Sequence, residues 1–414
     1  MNSTQATTLL LALSGASLLF SACQKDATAP AVEDNTPVTR PLTEAEAKTV
    51  HSANDFAFRS FAALQAKEAS KNLFISPLSI SAALTMAYNG ADGTTKEAMR
   101  QTLGFQPQTD EQIGQAYQSL NQLLRGIDKR VTFTPANSIW HGKQYQLAAP
   151  FVQKNSTYFD ATVQALDFNS PDAVKTINGW VSDKTQGKID GIVEDLSPEH
   201  VMVLVNAIYF KGVWTYPFDK KLTQKAPFRR DDGSQTDVDF MSAPNSEFLY
   251  YEDAQHQVID LPYGNKQFSM TLILPLGQNT VSSIVRNLSN AQLTGWLTKA
   301  KPSGLPLRLP RFKMTYKATL NDMLSQLGMG EAFSSRANFS QMLAGGSRNL
   351  AIDAVLHKTY VEVNEEGTEA AAVTSVGIVT TSIPPTIAVD RACVFLIREK
   401  SSNAILFIGQ LMNP

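Results

Sequence analysis

The sequence contains one stretch of unusual composition, EEGTEAAAVTSVGIVTTSIPP at residues 365–385. No charged residue occurs from Ala370 to Val389, and no proline interrupts the chain from Glu366 to Ile383. The residues from Ala370 to Ile383 are small or β-branched, which favours an extended strand. Pro384-Pro385 ends the stretch, because proline cannot continue a central strand. By itself the stretch predicts a strand-forming segment, and a plain buried strand is as good an interpretation as a functional one.

Around this stretch, helical patterns dominate the first part of the chain and strand patterns the last part. A capping box at Thr43-Glu44-Ala45-Glu46 predicts the start of a helix with a buried apolar face. That face is formed by Phe56, Phe58, Phe61 and Leu64. Strands are predicted at Val163–Leu166, Val201–Phe210 and Phe268–Leu274, and almost everything after Leu350 has a strand pattern. This order predicts an α+β fold rather than repeated β-α-β units.

Composition restricts the class of protein. The 414 residues suggest two or three domains from length alone. Lys plus Arg is 36 and Asp plus Glu is 38, so the net charge of −2 argues against nucleic acid as a partner. A hydrophobic content of 43% is typical of a globular protein rather than a disordered one. Two cysteines exclude a multi-disulfide framework and a cysteine-rich metal site.

The sequence carries no recognisable catalytic motif. No pair among the five histidines has the spacing of a helical zinc motif, so a structural role is the favoured interpretation. These residues are His51, His141, His200, His256 and His357. A Gly-Lys-Ser/Thr phosphate loop and a nucleophile elbow around serine are both missing. We therefore expect a protein that is not an enzyme and that uses neither a cofactor nor a metal.

The N-terminus has the pattern of a secretion signal. The apolar run from Leu9 to Phe20 is shorter than the roughly 20 residues of a transmembrane helix and suits a signal-peptide core. Ser21-Ala22-Cys23 follows it and resembles the lipobox of bacterial lipoproteins. We expect residues 1–22 to be a signal peptide, Cys23 to be lipidated at the bacterial cell envelope, and residues 23–42 to be a flexible tether. An ordinary cleaved signal, with a secreted protein, is the alternative.

Five motifs in order and spacing resemble the serpins, the serine protease inhibitors. They are Asn72–Ile80, Val205–Trp214, Asp353–Lys358, Glu365–Ala372 and Asp390–Pro414. The resemblance implies a serpin fold: a mostly antiparallel large central sheet, two smaller sheets and about eight or nine helices. It also implies a monomer with a single domain over residues 43–414 and an exposed reactive loop over about residues 365–389. The family commonly has Pro-Phe where this chain has Ala392-Cys393, so the local core must repack, with Cys393 acting as a small hydrophobe.

Serpins present this loop as bait for a protease. After cleavage the freed arm inserts into the main sheet as a strand, and the protease is trapped as an acyl-enzyme. The resemblance assigns the hinge of the loop to Glu365, Glu366, Gly367, Thr368, Glu369, Ala370, Ala371 and Ala372. Because side chains alternate along a strand, every second residue must fit the core of the sheet. The predicted inward set is Thr368, Ala370, Ala372, Thr374, Val376 and Ile378, whereas Glu369 points outward.

Family spacing from the first hinge glutamate predicts cleavage at Thr381–Ser382, with Val379–Thr380 and Thr380–Thr381 as alternatives. No Lys or Arg lies between residues 367 and 390, so trypsin-like enzymes have no residue for an acidic pocket. Elastase-like proteases, and then subtilisin-like ones, fit better, and papain-like cysteine proteases stay open. A non-inhibitory serpin that acts as a carrier or chaperone is the alternative from another functional class.

Four further residues match positions that the family uses near the opening of the sheet. Ser76, Asn206 and His357 match a buried polar cluster that holds the strands closed until insertion changes their partners. Locally satisfied core groups are the alternative for these three. Trp214 is expected near the start of the loop, and simple core packing explains it equally well.

Overall fold

Three β-sheets and nine α-helices form the described part of the computed structural model. It describes residues 36–414 except 198, 245, 347–349 and 369–384. These residues belong to one compact unit, Asn35–Pro414. The predicted α+β serpin fold, with one large sheet and two further sheets, is confirmed. Cys23 and most of the reactive loop lie outside the described residues.

The first helix begins where the capping box predicts. The Thr43 hydroxyl accepts the Glu46 N–H at 3.2 Å, and the Glu46 carboxylate accepts the Thr43 N–H at 2.7 Å. Phe56, Phe58, Phe61 and Leu64 are buried on this helix. The described helices are α1 (Glu44–Lys67), α2 (Pro77–Tyr88), α3 (Gly93–Leu103), α4 (Asp110–Gly126), α5 (Ala149–Phe159), α6 (Asp172–Lys184), α7 (Val281–Asn287), α8 (Asn290–Lys299) and α9 (Asn321–Leu324). None of them combines the length and the apolar character of a membrane span.

Strands dominate the second half, as the sequence predicts. They are β1 (Leu73–Ile75), β2 (Val131–Gly142), β3 (Thr162–Leu166), β4 (Met202–Val213), β5 (Gln224–Arg229), β6 (Gln235–Ala243), β7 (Phe248–Glu252), β8 (His256–Tyr263), β9 (Phe268–Pro275), β10 (Lys301–Ser303), β11 (Leu307–Pro310), β12 (Phe312–Thr319), β13 (Val355–Val363), β14 (Gly367–Thr368), β15 (Ile387–Ala388), β16 (Cys393–Glu399) and β17 (Ile405–Leu411). The three strands predicted individually are present as β3, β4 and β9. All of β9 and most of β4 are buried, because both faces of these strands are covered.

The six-stranded sheet has the order β12-β13-β4-β2-β3, and the short strand β14 pairs with β4. Strand β4 is antiparallel to β2 over almost its whole length, but it is parallel to β13 over only four residues. Leu204–Ala207 pairs with Val355–Lys358. Beyond these residues, no pairing among the described residues joins β4 to β13, and we call this divergence the fork.

The other two sheets pack into the main core. The seven-stranded sheet has the order β1-β17-β16-β9-β8-β7-β10, and the four-stranded sheet has the order β15-β11-β6-β5. Cys393 and Ala392 are buried where β16 begins, and the Ala392 N–H donates to the Arg229 carbonyl at 2.9 Å. Burial raises the pKa of the Cys393 thiol to about 12, so the side chain stays neutral as a small hydrophobe.

Candidate functional site: the hinge and the fork

A tight turn sends the chain back into the fork where β13 ends. The Asn364 side-chain oxygen accepts the N–H groups of Glu366, at 3.1 Å, and Gly367, at 3.2 Å. The Asn364 N–H donates to the Gly367 carbonyl at 2.9 Å. Gly367 has φ +146°, and a Cβ there would lie 2.1 Å from the Gly212 carbonyl oxygen. Only glycine fits this close approach of two backbones, and it lets β14 pair with β4 directly after the turn.

Both hinge glutamates are buried and anchored to the segment that follows β4. Glu365 accepts a hydrogen bond from the Thr223 hydroxyl at 2.7 Å and lies 3.7 Å from the Arg311 guanidinium. One carboxylate oxygen of Glu366 pairs with the Lys220 ammonium at 2.5 Å, and the other has no hydrogen-bond partner within the described part of the chain. The hinge is therefore held in place by charge-assisted contacts around its first two residues.

Thr368 lies on the face that alternation assigns to it. Its side chain is buried, and its hydroxyl is 3.0 Å from the Tyr263 hydroxyl. Burial raises the pKa of Tyr263 above its ordinary value, so the phenol stays neutral and able to donate. Thr368 pairs with Gly212, whose missing side chain leaves room for the Tyr263 ring.

Trp214 contacts the start of the loop and also packs in the core. Its indole N–H donates to the Asn364 carbonyl at 3.0 Å, and its backbone N–H donates to the Glu366 carbonyl at 2.9 Å. Its ring stacks on Tyr263 with centroids 4.3 Å apart. Trp214 thus contacts the start of the loop and packs in the core: its ring stacks on Tyr263, and its indole and backbone N–H groups hold the turn.

The structure brings Ser76, Asn206 and His357 together at the base of the fork. Asn206 and His357 lie opposite each other in the parallel pairing of β4 with β13. The Ser76 backbone N–H donates to His357 Nε2 at 3.1 Å. The Ser76 hydroxyl instead donates to the Leu406 carbonyl at 2.7 Å. The serine therefore contacts the histidine through its backbone, and its hydroxyl binds β17.

Asn137 belongs to this cluster, although the sequence reasoning missed it. It lies opposite Asn206 across β2 and β4, and its side-chain oxygen accepts the Asn206 amide N–H at 2.8 Å. An amide next to Ala136 and Ser138 in a long buried strand is a signal that sequence reasoning can use. Its partner becomes evident only from the register of β2 against β4.

Two buried polar atoms in the cluster have no hydrogen-bond partner among the residues that the structure describes. They are Asn206 Oδ1 and His357 Nδ1. Burial lowers the pKa of His357 to about 3, so the imidazole is neutral at physiological pH. Since Nε2 accepts the Ser76 N–H, the hydrogen-bond network assigns the ring proton to Nδ1. The cluster therefore presents one free donor and one free acceptor, each costing about 1–3 kcal/mol while unpaired.

The remaining predicted site residues lie outside the described residues. They are Glu369, Ala370, Ala371, Ala372, Val379, Thr380, Thr381, Ser382 and Cys23. The described chain resumes at Pro385, and Ile387–Ala388 forms β15 beside β11. Groups of His, Cys, Asp or Glu that could hold a metal ion are absent from the part of the chain that the structure describes.

Comparisons with known proteins agree with this geometry. Residues 51–414 match the family model described as serpin (serine protease inhibitor). A leukocyte elastase inhibitor of Homo sapiens is 36% identical over 385 residues, covering 88% of this chain and 99% of the relative. A serine protease inhibitor of Cyanea capillata is 33% identical over 371 residues, covering 87% and 97%.

Two solved structures share the fold over most of their length. Tengpin, a thermophilic serpin in its native state, has a TM-score of 0.82 at 32% identity, covering 92% of this chain and 97% of Tengpin. Human thyroxine-binding globulin has a TM-score of 0.82 at 30% identity, covering 89% of this chain and 99% of that protein. Sequence, fold and hinge agree, and the chain belongs to the serpin family.

Proposed function

We propose that this protein is a suicide-substrate inhibitor of endopeptidases. In this proposal a protease cleaves the reactive loop at about Thr381–Ser382, and the freed arm inserts between β4 and β13 while the acyl-enzyme is still intact. The observation that carries the proposal is the fork, into which the hinge already turns. Gly367 and Thr368 pair with β4 as the first residues of the strand that insertion would extend.

The register of β14 indicates where each later residue would lie. Extended along β4, it would place Glu369 opposite Lys211, Ala372 opposite Ile208 and Thr374 opposite Asn206. Insertion as far as Ala372 would break no existing pair between β4 and β13. The two strands are unpaired beyond Ala207 on β4 and beyond Lys358 on β13. The four residues from Val373 to Val376 would each replace one of the four native pairs between β4 and β13.

The side chains of the loop suit this register. Thr368, Ala370 and Ala372 would share the core-facing side of the sheet with Phe210 and Ile208, where small residues avoid a clash. Further in, Val376 and Ile378 would each gain about 1.5–3 kcal/mol from burial. Glu369 would face outward opposite Lys211, as a cross-strand pair of opposite charges worth about 0.2–1 kcal/mol.

Thr374 suits the base of the fork. Extending β14 along β4 places Thr374 opposite Asn206, and extending the Asn364–Gly367 bridge along β13 places it opposite His357. A threonine hydroxyl both donates and accepts a hydrogen bond. It could therefore accept from His357 Nδ1–H and donate to Asn206 Oδ1, the two cluster atoms without a partner among the described residues. Insertion would replace the pairing of the native cluster with one in which both atoms are satisfied.

The proposed targets are elastase-like serine proteases, then subtilisin-like ones, with papain-like cysteine proteases as a further option. The neighbourhood of Thr381 offers small and β-branched residues and no Lys or Arg. Similarity to a leukocyte elastase inhibitor supports this choice. Cleavage at Val379–Thr380 or Thr380–Thr381 would point to the same class of protease, because these bonds also follow β-branched residues.

Incubation with elastase, trypsin and papain tests the proposal, followed by an SDS gel and mass spectrometry of the released peptide. We expect an SDS-stable adduct with elastase and a released peptide that begins at Ser382. An adduct with trypsin and none with elastase would overturn the assigned specificity. Cleavage without an adduct from any of the three would favour the carrier or chaperone alternative, the class to which the name of thyroxine-binding globulin points.

We also propose that Cys23 carries a lipid anchor, which would place the monomeric inhibitor at the bacterial cell envelope, in the outer membrane or on the cell surface. The support is the order of the apolar run and Ser21-Ala22-Cys23 in the sequence. Fractionation of cells that express wild type and Cys23→Ser tests this, together with mass spectrometry of the mature N-terminus. Wild type should be in the membrane fraction and Cys23→Ser in the soluble one. Equal distribution of both would favour an ordinary cleaved signal and a secreted protein.

A further inference from the structure

A cavity of about 230 Å³ lies at the C-terminal end of β5, apart from the hinge and the fork. Three segments of the chain form its walls: the turn between β5 and β6, the loop between β9 and α7, and the residues that lead into β16. Its charged lining consists of Arg229, Arg230, Arg391 and Asp231. Three guanidinium groups and one carboxylate line the cavity, so it carries a surplus of positive charge.

Backbone hydrogen bonds hold two of these arginines directly opposite each other. The Arg229 N–H donates to the Asp390 carbonyl at 2.8 Å, and the Ala392 N–H donates to the Arg229 carbonyl at 2.9 Å. These two bonds form a parallel bridge between Arg229 and Arg391. Bridge partners present their side chains to the same face, and like charges directly opposite each other are destabilising. An anion bound between the two guanidinium groups would remove this repulsion.

The nearest carboxylate leaves most of this paired charge uncompensated. Arg391 is 25% exposed, and its Nε pairs with Asp390 at 2.8 Å. Its two terminal nitrogens have no partner among the described residues. The Arg229 side chain forms neither a hydrogen bond nor an ion pair with any residue that the structure describes. Both guanidinium groups therefore have donors available for a ligand in the cavity.

The other two charged groups border the cavity without neutralising the pair. Asp231 accepts the Val281 N–H at 3.4 Å, so its carboxylate is engaged at the start of α7. Arg230 donates to two neutral oxygens, Asn413 Oδ1 at 3.0 Å and Ser234 Oγ at 3.3 Å. These contacts fix the Arg230 side chain at the turn and leave its charge in place.

We propose that this cavity binds a phosphate group, with Arg229 and Arg391 as its main ligands. A guanidinium group binds two phosphate oxygens at once through its fixed fork of N–H donors. A terminal phosphate carries a charge of about −1.5 to −2 at pH 7, which matches two guanidinium groups. The cavity is smaller than the roughly 300–1,000 Å³ of pockets for drug-sized ligands, which favours a phosphate with a small substituent. This inference goes beyond the proposed inhibitor function and does not depend on it.

The phosphate group can come from a soluble phosphate ester or from a phospholipid headgroup, since both offer the same oxygens. The Cys23→Ser chain is the starting protein for the tests, because the proposed lipid anchor would bind vesicles by itself. Titration calorimetry with inorganic phosphate measures the affinity. Thermal unfolding gives a second measurement, because a ligand that binds only the folded state raises the unfolding midpoint. Phosphate also stabilises folded proteins in general by exclusion from their surface, so variants decide the test.

Arg229→Gln should bind inorganic phosphate about tenfold more weakly, because it loses the charge-assisted hydrogen bonds of one guanidinium. Without phosphate its unfolding midpoint should equal or exceed that of the parent chain, since the repulsion from Arg391 is gone. Arg229→Lys keeps the charge but not the fork and should lose less affinity. Arg336→Gln is the matched control: this exposed arginine does not line the cavity, and its loss should leave the affinity unchanged.

Equal affinity of Arg229→Gln and the parent chain for phosphate would overturn the inference. An equal loss of affinity in Arg336→Gln would also overturn it, because net charge alone would then explain the binding. An absence of any heat of binding, together with midpoint shifts that are the same in all variants, would show that phosphate acts only as a general stabiliser.

Sedimentation with vesicles distinguishes the two sources of the phosphate. Phosphatidic acid in phosphatidylcholine presents a terminal phosphate, whereas phosphatidylglycerol at the same net charge presents an internal one. Binding to the first vesicle only, lost in Arg229→Gln, would assign the site to a lipid headgroup. Binding of inorganic phosphate without binding to either vesicle would assign it to a soluble phosphate ester. Trapping of elastase by Arg229→Gln should equal that by the parent chain, so the inhibitor function is tested separately.

Discussion

At the scale of single residues, Gly367 and Thr368 have different structural roles although they are neighbours in the chain. Gly367 has no Cβ, so its backbone can lie close to the Gly212 carbonyl. A Cβ at this position would be 2.1 Å from that carbonyl oxygen. Thr368 fills the space beside Gly212 and lies within hydrogen-bond distance of Tyr263. The first residue allows the chain to turn, and the second begins the alternation of inward side chains.

Thr368→Arg should convert the inhibitor into a substrate. A guanidinium at this buried position, opposite Gly212 and beside the Tyr263 hydroxyl, costs several kcal/mol because the charge loses its hydration. Elastase should still cleave the loop, but an SDS gel should show cleaved protein without an adduct. Thr368→Val, which is uncharged and of similar size, is the matched control and should still trap the protease. An SDS-stable adduct with Thr368→Arg would contradict the proposed insertion of the loop.

His357 should make stability depend on pH below neutrality. Its pKa is about 3 in the folded protein and about 6.5 in the unfolded chain, so the unfolded chain binds more protons between these values. The free energy of unfolding should therefore fall as pH decreases from about 6.5, by up to about 1.4 kcal/mol per pH unit. Urea unfolding at several pH values measures this slope.

The matched variant is His357→Gln, which keeps an acceptor for the Ser76 N–H and removes the titrating ring. Its slope between pH 6.5 and pH 5 should be smaller than that of wild type by about one proton. Carboxylates with lowered pKa, such as Glu46, act at lower pH and contribute equally to both proteins. Identical slopes would show that His357 does not titrate on unfolding.

Sequence reasoning identified several of these residues and missed others for a physical reason. The capping box at Thr43 and the inward face of Thr368 follow from local geometry, which sequence spacing expresses directly. Asn137 and Asn364 act through partners fixed by strand register and by a turn, and neither is visible in a single segment. The same holds for Ser76, whose backbone rather than its hydroxyl reaches His357.

At the scale of elements, the fork results from a short parallel pairing between two long strands. The strand patterns of β4 and β13 are evident from sequence, because strand propensity and the spacing of buried residues are local properties. Their pairing over only four residues is not, since the strands are far apart in the chain.

Thr374→Val should weaken the inserted state of the loop. The variant would leave Asn206 Oδ1 and His357 Nδ1 unpaired after insertion, at a cost of roughly 1–3 kcal/mol for each atom. Urea unfolding of the elastase-cleaved variant should therefore have a lower midpoint than that of cleaved wild type. The outward neighbour Ser375→Ala is the control and should match wild type. Equal midpoints for Thr374→Val and wild type would contradict the proposed register.

At the scale of the whole molecule, the sheets differ in how readily they can open. The core strands β9, β16 and β17 are buried along their full length, and each pairs with neighbours on both sides. The six-stranded sheet is weakest between β4 and β13, where only four residues of each strand pair. The whole fold therefore directs any rearrangement to that interface.

Hydrogen exchange measured by mass spectrometry before and after cleavage by elastase tests this account most directly. The peptides to follow cover residues 208–211 of β4 and 359–363 of β13. At the fork, the facing edges of these segments have no strand partner among the described residues. After cleavage their amides should exchange at least about tenfold more slowly, since an inserted strand would pair with both edges. Peptides from β9 and β16 should not change. Unchanged or faster exchange at the fork after cleavage would contradict insertion of the loop between β4 and β13.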